Sequence, residues 1–168
     1  MRVYTHPACL EHQPGPGHPE CPARLQAVTE ALRAALPGLD WREAPLASRE
    51  AASRVHAASL VEAIFDARFD EHASLRLDED TAMSPASPEA ARRAAGAVIA
   101  AVDAVMGGVV PRAFCAVRPP GHHATRDTAM GFCLLNGIAI GAAHAVHAHR
   151  LSRVAVVDFD VHHGNGTE

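Results

Sequence analysis

Residues 113–167 constrain the chain more than any other stretch. Ala113 to Val117 is a short apolar run, Asn136 to Arg150 has the small residues of a packed helix, and Val154 to Phe159 reads Val-Ala-Val-Val-Asp-Phe between polar residues and Gly. Strand, helix and strand in that order make a βαβ unit, which demands parallel pairing and a right-handed crossover. Both read as buried strands by composition, and the second would present an exposed apolar edge where the neighbours that later sequence normally provides are lacking. Between the first strand and the helix lies a long loop, 118–135, marked by Gly and Pro. In a compact domain such a loop is more often functional than accidental.

The upstream chain fits the same class. Arg2 to Tyr4 reads as a first strand, and residues 6–22 carry too many prolines for regular structure. A helix is expected from near Pro22, with Leu25, Val28, Leu32 and Leu36 as its apolar face and Pro37-Gly38 as its end. Trp41 to Glu43 is a second short strand, and Ser59 to Phe69 a helix buried through Leu60, Ile64 and Phe65. Residues 70–86 are polar. Ser87-Pro88-Glu89 starts an Ala-rich helix, Ser as cap and Pro in the first turn, that runs to about Met106 and closes at Gly107-Gly108. No repeat or linker interrupts the chain, so we expect one α/β domain with helices on both faces of a mostly parallel sheet.

Composition excludes several functions. With 15 Lys and Arg against 19 Asp and Glu, net charge −4, there is no reason to expect nucleic-acid binding through a basic surface. No apolar run approaches the ~20 residues that span a bilayer, and Met1-Arg2-Val3-Tyr4 leads into mixed sequence with no signal-peptide core. The expected location is cytoplasmic. Cys9, Cys21, Cys115 and Cys133 form no CxxC pair and read as reduced thiols.

The chemistry concentrates in two histidine doublets, His122-His123 and His162-His163, among 12 histidines. In open α/β sheets ligands sit beyond the carboxyl ends of the strands. Arg118-Pro119-Pro120-Gly121-His122-His123-Ala124 follows one strand and Asp160-Val161-His162-His163-Gly164-Asn165-Gly166 the other, so adjacent strands bring both loops to one rim. Asp158, Asp160 and His162 alternate and so point to one side of an extended chain. Asp160 and His162 supply two of the three protein ligands of a catalytic zinc. Taken alone, the same spacing also fits a polar strand end without metal. His122 and His123 are suited to general base and general acid work near neutral pH, and Asp158 and Asn165 are the nearest groups to orient them. There is no HExxH, GxSxG, Walker loop or GxGxxG. Cys133 lacks an evident activating base, which argues against a cysteine nucleophile.

The segments Arg118–Ala124, Gly131-Phe132-Cys133-Leu134-Leu135-Asn136 and Val157–Thr167 closely resemble the zinc-dependent histone deacetylase superfamily, which includes acetylpolyamine amidohydrolases and acetoin-utilisation proteins. Gly15–Glu20, Pro22–Leu25 and Leu77–Thr81 look similar to it as well. The resemblance implies an arginase/deacetylase-like three-layer α/β fold and hydrolysis of an N-acetyl or related acyl amide. It implies zinc on Asp160 and His162, the acid/base pair His122 and His123, Asp158 behind His122 and Asn165 behind His123. Gly131 and Phe132 would line the acyl-chain tunnel, Asp80 would hold substrate at the rim, and Asp158 would help bind potassium. Asn165, where another branch carries Asp, is similar to the class II-like branch. Gly164, where binuclear relatives of the arginase fold carry an Asp, argues against a ureohydrolase.

The family domain is roughly twice this length, longer by about a small domain. Its third zinc ligand, an Asp, and its oxyanion tyrosine lie downstream, and the one tyrosine here, Tyr4, is in the wrong place. The expectation is that residues 1–168 form the N-terminal part of a single catalytic domain and are inactive alone. The substrate would be an acetylated protein or a small acylated amine such as a polyamine, with no membrane or nucleic-acid partner. The alternative is a non-catalytic fragment that retains the fold. Oligomeric state is left open.

Overall fold

The computed structural model describes residues 1–70 and 73–168. Along the chain run β1 (Arg2–Thr5), α1 (Ala8–Glu11), α2 (Pro22–Ala35), β2 (Asp40–Glu43), α3 (Arg49–Ser53) and α4 (Ala58–Phe65). Then come β3 (Leu75–Arg76), β4 (Ala82–Met83), α5 (Ser87–Met106), β5 (Ala113–Cys115) and α6 (Gly137–His149).

β1 is the middle strand of a parallel sheet of order β2-β1-β5, with Val3 opposite Trp41 and Phe114. The pleat then sorts its side chains into two layers. Val3 packs with Leu25 of α2, Cys9 and Ala116, while Tyr4 packs with Ala97 of α5 and Ala44. Helices on both faces give the three-layer α/β/α arrangement expected. A third core, α3 and α4 against α5 and α6, buries Leu60, Val61, Ile64 and Phe65. The Tyr4 hydroxyl donates to Ala100 O of α5, which makes it a structural residue.

Several local expectations are corrected. Val154–Phe159 is not a buried strand: Val157 is 85% and Phe159 97% exposed, and no described residue pairs with the segment. A cleft of ≈ 530 Å³, lined by Phe114 on one side and Val154 on the other, separates it from β5. Apolar sequence becomes a strand only where a neighbour takes its N–H and C=O groups, so the βαβ unit has its strand and helix but not its second ladder. On α2 only Leu25 is buried, and Val28 and Leu36 are exposed. The Pro-rich loop contains α1, residues 49–53 form a helix capped by the Ser48 side chain, and the polar stretch contains the β3–β4 hairpin. That stretch also covers residues 71 and 72, which lie outside the described residues. Ser87 does not cap α5: its hydroxyl bonds to His12 Nδ1 and accepts from the N–H of Ser84.

Candidate active site

The loop after β5 is anchored before it reaches its histidines. Arg118 is buried, and its guanidinium donates to Glu20 through Nε (2.5 Å) and Nη2 (2.7 Å). Nη1 and Nη2 donate to the carbonyls of Cys9 (2.6 Å) and His12 (3.1 Å). A planar fork with five donors suits this bidentate arrangement. His12, beside it, is pushed down to about 4 by burial, against the attraction of Glu20.

The far side of the loop is held by His56 and Asn136. His56 Nδ1 donates to Thr125 O, and its Nε2 accepts from the backbone N–H of Asn136. Burial lowers its pKa, which keeps the neutral form this pattern needs. Asn136 caps α6 by accepting from the N–H of Ala139, and its amide donates to Thr167 in the second loop.

The two loops then join directly. Gly166 N–H donates to His122 O, and a side chain at Gly166 would fall onto Ala124 O, so only glycine permits this approach. His122 Nδ1 lies 2.8 Å from Asp158 Oδ2, and His123 Nδ1 lies 2.7 Å from Asn165 Oδ1. The two rings are 4.1 Å apart. Asp158 is held below the usual carboxylate range by the His122 bond and by the N–H of Asp160. His122 therefore has an anionic partner and His123 a neutral one. With both Nδ1 atoms engaged, Nε2 of each ring is left for a proton or a substrate.

Asp160 Oδ1 and His162 Nδ1 stand 2.9 Å apart, and the His162 ring is 6.0 Å from that of His123. Asp160 is also held low, by the backbone N–H and the ring of His162. A nitrogen and an ionised oxygen side by side on open side chains fit two positions of a zinc ion. Among the described residues no third ligand completes a cluster there.

Gly131 and Phe132 border the pair. Gly131 has φ +56°, and a Cβ there would lie 2.5 Å from the His123 ring. Phe132 stacks edge-on against His18 at 4.7 Å, and its N–H donates to Thr81 Oγ1, which in turn donates to Asp80 Oδ1. His18 Nε2 donates to Asp80 O. Asp80 itself lines a cleft of ≈ 490 Å³ between residues 14–19 and the β3–β4 hairpin. Cys133 is buried, and burial pushes its thiol up to about 12, so it is no thiolate nucleophile. The sequence reading did not assign roles to Glu20, Arg118, His18, His56 or Asn136. His18 and Glu20 lie within a segment that carried the resemblance, and Asn136 shows the ordinary signature of a helix cap.

A histidine pair backed by a carboxylate and an amide, beside an N/O donor pair, is an arrangement able to move protons next to a bound metal. Comparisons with known proteins supply the class. The histone deacetylase domain family matches residues 18–168, and the chain belongs to that family. The chain is 43% identical to the histone deacetylase-like amidohydrolase of Pseudomonas aeruginosa, over 90% of this chain and 40% of that protein. It is 41% identical to the human polyamine deacetylase HDAC10, over 89% of this chain and 24% of that protein. The solved HDA15 HD domain superimposes with a TM-score of 0.92 at 35% identity, over 99% of this chain and 50% of that one. The chain spans about half the length of the curated relatives it matches, or less.

Proposed function

We propose that these residues serve a zinc-dependent hydrolysis of N-acetyl or related acyl amides, of the acetyl-lysine kind. The observation that carries the reading is the paired wiring of His122 to Asp158 and His123 to Asn165, set beside Asp160 and His162. Zinc held by Asp160, His162 and a third ligand would supply Lewis acidity toward the amide carbonyl and toward water. The chain's own residues handle the protons. Asp158 and Asn165 accept from the Nδ1–H of each histidine and so leave Nε2 of each ring as a base. A water proton passes to one imidazole, and a proton returns to the departing amine nitrogen as the C–N bond breaks. Asp158 offers the imidazolium of His122 a counter-ion, whereas Asn165 offers His123 only a dipole. Phe132 and Gly131 exclude water along the acyl chain, and Asp80 holds the substrate's backbone or amine at the rim.

Asp78, Glu79 and Asp80, exposed together at the hairpin tip, favour a cationic substrate and so support a second reading, an acetylpolyamine. Potassium at Asp158 rests on the resemblance alone. A cytoplasmic location belongs to the same proposal and agrees with four free thiols.

The test is release of acetate from acetyl-lysine and N-acetylpolyamine reporters, with zinc content measured alongside. It is run on the 168-residue chain and on a form extended to the full length of the family domain. A hydroxamate-sensitive activity in the longer form, lost in His122→Ala, is expected, with none in the chain alone. A zinc-loaded longer form that hydrolyses neither reporter would overturn the reading.

A further inference from the structure

At the other end of α6 a second set of donors converges. His144 Nε2 and His149 Nε2 each lie 2.7 Å from the same oxygen, Asp103 Oδ1 of α5. The two rings meet edge to face at 5.6 Å, and the three ligand atoms fall within 4.8 Å of one another. Among the described residues no other group of three or more His, Cys, Asp or Glu is so disposed.

The arrangement is not a by-product of helical spacing. Residues five apart on a helix point about 140° away from each other around the axis, so His144 and His149 do not stack as neighbours on one face. They meet because both reach across to α5. The helices approach closely at Gly141, where a Cβ would strike Val98. Asp103 lies in the last turn of α5, its carbonyl accepting the N–H of Gly107, and His149 ends α6 where Arg150 turns left-handed. Asp103 and His149 therefore sit near helix ends, while His144 is held in the body of α6. α6 rises about 20 Å over its 13 residues, which sets the cluster roughly a helix length from the rim that Asn136 helps hold.

Two imidazole nitrogens and one carboxylate oxygen are the donor set that borderline divalent ions take. An ion bonded tetrahedrally at about 2.1 Å needs its donors about 3.4 Å apart. Small rotations of partly exposed side chains open the 2.7 Å contacts that far. Asp103 is 52% exposed, which leaves the remaining coordination positions to water. We propose that Asp103, His144 and His149 form a zinc-class metal site that ties the C-terminal ends of α5 and α6 together, separate from Asp160 and His162. It does not depend on the acyl-hydrolase reading.

The test is titration of the chain with Zn²⁺ at pH 7.5 against a chromophoric chelator, in a D160A/H162A background that removes the other donor pair. One equivalent bound with a micromolar Kd is expected, together with a rise in Tm on the order of 5 °C at saturation. Adding His144→Ala or His149→Ala should weaken binding on the order of 100-fold. Cu²⁺ in place of Zn²⁺ should give an electron paramagnetic resonance spectrum with two coupled nitrogens in the parent, and fewer in each variant. Asp160 and His162 are exposed and His144 and His149 largely covered, so far-ultraviolet circular dichroism checks that each variant is folded. No binding below ~0.1 mM in the background variant, or binding that both histidine variants leave unchanged, would overturn the proposal and leave an ion pair between helices.

Discussion

Glu20→Gln should be among the most damaging single substitutions for the stability of this chain. The side chain keeps its shape and loses its charge. Glu20 is 1% and Arg118 4% exposed, so no solvent reaches the guanidinium that is left. Of four hydrogen bonds on that guanidinium, the two to Glu20 carry the compensating charge, and the two to the carbonyls of Cys9 and His12 are dipolar only. The glutamine amide nitrogen would also face the guanidinium donor to donor at one position. An uncompensated buried charge costs about 3–5 kcal/mol, against about 5–15 kcal/mol of total stability for a domain. Urea unfolding at pH 7.5 should show the unfolding free energy lower by that amount, through a lower midpoint at constant slope. Replacing the whole pair with neutral groups of similar volume is often harmless. E20Q/R118M should therefore be more stable than the sum of its single variants allows, with a coupling of about 2 kcal/mol or more. Because Arg118 roots the loop that carries His122 and His123, the imidazole resonances of both should move in E20Q. A loss below ~1 kcal/mol, or simple additivity, would refute the view that this pair anchors the site.

Three further outcomes are expected. His12 is at about 4 when folded, against an ordinary 6.5. The unfolded chain therefore takes up a proton between pH 6.5 and 4 that the folded chain refuses, and stability falls with pH across that window by on the order of 3 kcal/mol, with none of the loss above it. Urea midpoints at pH 7.5, 6 and 4.5 will show the slope, and His12→Gln should flatten it. His123→Ala should abolish turnover in an active form while zinc content stays near that of the parent, as measured by metal analysis; loss of zinc instead would mean that His123 is a ligand. Gly131→Ala puts a Cβ against the His123 ring at φ +56°; it should cost about 1–2 kcal/mol and displace His123, visible as a lower rate with little change in substrate KM.

The parts of the fold that local pattern determines were legible in the sequence. Leu60, Ile64 and Phe65 lie on the buried stripe their spacing implies, Pro88 opens α5, and the sheet around β1 is parallel, as the expected α/β class requires. What failed was burial that depends on a partner. Val154–Phe159 has the composition of a core strand and stands in solvent, because composition does not supply the neighbour that closes a ladder. Val28 and Leu36 fail in the same way on α2. Short elements such as α1 and the β3–β4 hairpin carry too few residues for a period to show. At the site, alternation and doublets located the groups that meet at the rim. The supports were hidden: nothing in the spacing of Glu20 and Arg118, 98 residues apart, announces a salt bridge. The convergence of Asp103 with His144 and His149 is likewise a product of helix packing.

The two histidine-bearing loops are separated by about forty residues of sequence, yet they are sewn together by backbone, side-chain and capping bonds at Gly166, Asp158, Asn165 and Thr167. Together they form a single jaw, stitched at the loops themselves rather than at the unpaired Val154–Phe159 stem. Under the proposed reaction an arriving amide would meet groups already in register, and little of its binding free energy would have to go into assembling them. The same stitching makes the jaw brittle: a change in either loop is felt at once by the imidazoles of the other.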